Sequence, residues 1–97
     1  MPVRNKTADI LYQKMLQTTP QKVGITAIKA MNAIQCDSVE NQILSVGALL
    51  VTMLDQYQLN ATEVLGVADN MVYSAAHNNM AFDFKALKNY MKNEWEI

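Results

Sequence analysis

The stretch from Ser38 to Gln58, SVENQILSVGALLVTMLDQYQ, constrains the fold more than any other part of the chain. Val39, Ile43, Val46, Leu50, Met53 and Tyr57 recur at steps of four and three. That spacing places them on one face of a 3.6-residue helix. Leu44, Ala48 and Val51 make a second apolar stripe, and Leu49 and Leu54 widen the cover. A helix apolar over so much of its girth is expected at the centre of a bundle, with shorter helices packed around it. Asp37 with Glu40 three residues on reads as the helix start, since a short polar side chain there can accept from an orphan backbone N–H. Asn41, Gln42, Ser45 and Thr52 interrupt the run and Asp55 closes it. It falls short of the ~20 predominantly apolar residues of a membrane-spanning helix, so no membrane association is expected.

Helical spacing continues on both sides. Thr7 reads as a cap for Ala8, Leu11, Tyr12, Met15 and Leu16. Thr18-Thr19-Pro20 ends that helix and starts the next, with Pro20 at the first helical position. Val23, Ala27, Met31 and Ile34 form the face of the second helix. Asn60 with Glu63 repeats the capping pattern before Val64, Val67, Met71 and Val72. Asp83 reads as the cap of a last helix whose face is Phe84, Leu87, Met91 and Trp95. The fold class predicted is all-α: a single-domain bundle of about five helices around a central helix 38–58. The helices are expected near 7–18, 20–35, 38–58, 61–77 and 83–95, with 1–6 as a flexible arm and 1–97 as one domain. Short connections favour antiparallel or steeply crossed packing of sequential helices.

All three glycines, Gly24, Gly47 and Gly66, fall inside predicted helices, where each costs about 1 kcal/mol relative to Ala. Close approach of another backbone at a helix crossing is the expected compensation. The segment from Val23-Gly24 to Met31 loosely matches that from Val46-Gly47 to Leu54, too short a match to establish a repeat.

A net charge of −1 hides a segregation. The first 29 residues carry Arg4, Lys6, Lys14, Lys22 and Lys29 against Asp9 alone. Residues 30–84 carry six carboxylates and no Lys or Arg. Lys85, Lys88 and Lys92 return in the last helix. Complementary charge would let the end helices dock on the acidic middle, or leave that middle as an acidic face for a partner.

Little in the chain points to chemistry. Cys36 and His77, the lone Cys and His, would have to meet and gain an orienting third group to act as a nucleophile pair. No cluster has zinc or calcium spacing. No glycine-rich phosphate loop or nucleophile elbow occurs. No catalytic residue, metal or cofactor is therefore expected, and the chain is read as non-enzymatic. Nucleic-acid binding through Arg4, Lys6, Lys14, Lys22 and Lys29 is the alternative. A helix-turn-helix from the third and fourth helices argues against itself, because residues 61–77 carry Glu63 and Asp69 and no cation.

What remains is protein interaction. Seven methionines suit adaptable surfaces as well as cores. The apolar stripes of the central helix exceed what one short neighbour can cover, so a homo-oligomer through the third or fourth helix is expected. Leu50, Met53, Tyr57, Met71, Tyr73 and Trp95 are the candidate anchors. The partner would be a protein, including a second copy. The setting would be cytoplasmic, given one cysteine and an N-terminal MPVRNKTAD unlike a signal peptide. An accessory or regulatory role of the small bacterial or viral kind fits this style of chain, although no motif carries it.

Overall fold

In a computed structural model, which describes residues 5–73 and 82–96, the chain folds into helices only. They are α1 (Lys6–Gln17), α2 (Pro20–Ile34), α3 (Val39–Gln56), α4 (Ala61–Tyr73) and α5 (Phe82–Glu94). The all-α expectation holds. The extension of the fourth helix to residue 77 lies outside the described residues.

Local chemistry explains the boundaries. Asn5 caps α1, accepting from the Ala8 N–H at 2.7 Å. The helix therefore starts ahead of Thr7, because Asn offers a better-placed acceptor two residues earlier. Thr19 caps α2 as expected, with Pro20 at its first position. Ser38, not Asp37, caps α3 by accepting from the Asn41 N–H at 3.3 Å. Asn60 Oδ1 accepts from the Glu63 N–H at 3.0 Å at the start of α4. Asp83 lies inside the first turn of α5 rather than at its cap.

The end of α3 is a Schellman motif without glycine. The Leu59 N–H reaches Leu54 O at 2.8 Å and the Gln58 N–H reaches Asp55 O at 3.3 Å. This geometry places Gln58 in the left-handed region at φ 54, where a side chain is strained and glycine is favoured.

The pairing of helices departs from the sequential packing expected. The substantial pairings are α2 with α5 and α1 with α4. Gly24 near the start of α2 meets Asp83 near the start of α5. Further along, Ile28, Met31, Asn32 and Gln35 share a cleft with Ala86, Leu87 and Tyr90. The two helices thus run the same way. Asn5, at the start of α1, donates from Nδ2 to Tyr57 O at 2.9 Å, just ahead of α4, so α1 and α4 set out from the same end. The α1–α2 half lies along the α4–α5 half, and α3 links the two along the chain.

The core sits where the halves meet. Met71 and Phe84 are buried, and Val23, Ala27, Val67, Val72 and Leu87 pack against them. Those residues come from α2, α4 and α5. The arrangement around a central α3 is not what the structure displays. Ile43, Leu44, Val46, Leu49, Val51, Met53 and Tyr57 are all exposed. The radius of gyration is 14.8 Å, against about 12.5 Å for a compact domain of this length.

Candidate interaction surface

Helical geometry divides the outward apolar residues of α3 into two flanks. At 100° per residue, Leu44, Gly47 and Val51 fall on one side, with Ile43 and Leu54 at its margin. Val46, Leu49 and Met53 fall on the other, with Tyr57 beyond them. Leu44 is 71% exposed and Val51 65%. Val39, Leu50 and Leu54, between the flanks, are half-buried against the rest of the protein.

The inward hold of α3 is partly polar. Gln42 is 3% exposed, and its Nε2 donates to Asp37 O at 2.7 Å, tying the side chain to the loop ahead of the helix. Its Oε1, like Trp95 Nε1, is buried without a hydrogen-bond partner. A buried group left in this way costs free energy rather than contributing it. Glu40 is exposed in the first turn of α3. Its own backbone N–H, then the Ser38 hydroxyl, hold its carboxyl below the ordinary value of 4.5.

The glycines separate sharply. A Cβ on Gly24 would lie 2.8 Å from Asp83 Cβ, closer than side chains tolerate, so this glycine is the close approach expected of it. Gly47 and Gly66 have nothing within 4 Å of that position. Gly47 lies at the middle of the 18-residue α3, on the Leu44–Val51 flank.

The residues expected as anchors do not form one patch. Met53 and Tyr57 are exposed on α3, and Leu50 is half-buried beside them. Met71 is a correction: at 8% exposure it belongs to the core, because the inward face of α4 is filled by α5 and its Phe84. Tyr73 is 63% exposed, and the Lys88 ammonium lies 4.4 Å from its ring centroid. That cation–π contact bridges the end of α4 to α5. Trp95 is half-buried. Leu44, Leu49 and Val51, also exposed, were not among the anchors expected from sequence. The signal for Leu44 and Val51 was the second apolar stripe, which the described residues leave exposed.

Of the basic residues, Arg4 lies outside the described residues. Lys6 and Lys14 are exposed on α1, whose partner helix α4 carries Glu63 and Asp69. Lys22 and Lys29 are exposed on the side of α2 opposite Gly24. They face away from α5 and its three lysines, so the cations do not gather on one surface. Cys36 is exposed, and the pair it was to make with His77 lies outside the described residues. Among the described residues no three His, Cys, Asp or Glu side chains form a metal-binding group. None of the described helices is long and apolar enough to cross a membrane. Comparison with protein-family models, curated proteins and solved structures returned no match.

Proposed function

We propose that this chain is a non-enzymatic helical interaction module that associates with itself. The observation carrying the reading is the outward face of α3. Of thirteen large apolar residues exposed to solvent among the described residues, the seven between Ile43 and Tyr57 stand on this one helix or its cap. Scattered apolar residues are ordinary on protein surfaces, but a contiguous run along a helix marks a place of association. The core itself is thin, with only Ala8, Pro20, Met71 and Phe84 as buried apolar side chains among the described residues. A chain of this size gains stability by covering such a face. Partner binding other than self-association would use the same surface, with Met53 and Tyr57 as adaptable anchors.

The test is the mass of the purified chain across a concentration series, with capture from lysate alongside. The expected outcome is a species heavier than 10.9 kDa that dissociates on dilution. A strict monomer that retains nothing refutes the reading.

A further inference from the structure

Resting on the self-association just proposed, we infer that two copies pack α3 against α3 in antiparallel fashion, crossing at Gly47. The area argues for a second copy. The chain exposes 7457 Å², whereas a compact monomer of its mass exposes about 5,600 Å². That surplus, roughly 1,900 Å², is spread over the whole chain, and the exposed apolar face of α3 is the part of it that a second copy covers; a standard interface takes ~800 Å² per partner.

Position argues for the crossing. A two-fold axis through the middle of an exposed helix lets both halves of one copy cover both halves of the other. The residue at that middle is Gly47, which has open space above its Cα. Absence of a side chain there brings the backbones together and turns an uncompensated cost within the chain into close contact. Leu44 and Val51, on either side of Gly47, then meet the partner's Val51 and the partner's Leu44. Charge selects the direction. A parallel pair would set Glu40 against the partner's Glu40 and Asp55 against the partner's Asp55. The antiparallel pair sets Glu40 near the partner's Leu54 and opposes the helix dipoles favourably.

The experiment combines mass measurement with cysteine cross-linking in a Cys36→Ser background. Wild type is expected at twice 10.9 kDa. Val51→Lys should halve the mass with helical circular dichroism unchanged, because Val51 is exposed within the monomer. Leu49→Lys, on the other flank, should leave the dimer intact. Gly47→Cys should oxidise to a linked dimer, since axes about 8 Å apart bring facing Cα atoms within disulfide reach. Glu40→Cys should not, because antiparallel packing separates the two sites by about 21 Å along the axis. A wild type that stays at 10.9 kDa at every concentration overturns both this inference and the self-association beneath it. A dimer lost with Leu49→Lys but kept with Val51→Lys, or cross-linked through Glu40→Cys, overturns the crossing alone.

Discussion

Helices α3 and α5 exchange the roles their compositions suggest. α3 holds the longest apolar run, yet Gln42 is its only buried residue. α5 carries Lys85, Lys88 and Lys92, yet it supplies Phe84 at 7% exposure to the core. The difference is one of arrangement rather than amount. α5 has a single narrow apolar face, and α2 and α4 close over it. α3 has apolar surface on both flanks, and the described residues leave both exposed. Total hydrophobicity measures the surface a helix needs covered. It does not say whether the cover comes from the same chain.

Substitutions can break that comparison directly. The largest effect is expected at Phe84. Truncation to Ala should destabilise the fold by about 3–5 kcal/mol in chemical denaturation, the cost of removing a buried aromatic and leaving its cavity. Leu44→Ala should change the stability of the monomer by less than about 0.5 kcal/mol, as for other exposed sites. Equal costs for the two, measured at a dilution where the chain is monomeric, would show that α3 is covered within the chain.

The glycines supply the next contrast. Gly24→Ala should destabilise by about 1–3 kcal/mol, because its Cβ would press on Asp83. Gly66→Ala, with open space at the same position, should stabilise by about 0.4–1 kcal/mol through the unfolded chain. The sign change between two helical glycines is the sharpest check on how α5 sits against α2.

Gln58→Gly should stabilise by about 1 kcal/mol by relieving the left-handed residue at the end of α3. In a domain of this size that raises the melting temperature by about 4–8 °C. The smallest effect is at Glu40. Its carboxyl is depressed in the folded chain, so its contribution is present above the unfolded value and lost as pH falls through the folded one. Comparing melting temperatures of wild type and Glu40→Gln should show a slight difference at neutral pH. The difference should shrink as pH drops below about 4.5.

Much of the local structure was legible in the chain. Thr19-Pro20 and Asn60 capped the helices they were expected to cap, because capping depends on neighbours a few residues apart. Asn5 displaced Thr7, and Ser38 displaced Asp37, by one or two residues. Such shifts arise because several short polar side chains compete for the same orphan N–H groups. The interaction surface was half legible. The surplus of apolar stripe on α3 was visible, but which anchors face outward was not. Met71 and Met53 look alike in sequence, and only the position of α5 buries one and leaves the other exposed.

The sequence by itself determined that the chain is helical, where most of its helices begin, and that one helix is apolar over most of its girth. These follow from periodicity and from hydrogen-bonding groups close along the chain. The tertiary structure alone decided that α2 pairs with α5 and α1 with α4. It also decided that Gly24 is filled against Asp83 while Gly47 stays open, and that the apolar helix lies outside the core. Those outcomes depend on contacts between residues some sixty positions apart. There the competition among amphipathic faces is settled by how whole helices fit, and no local pattern encodes that fit.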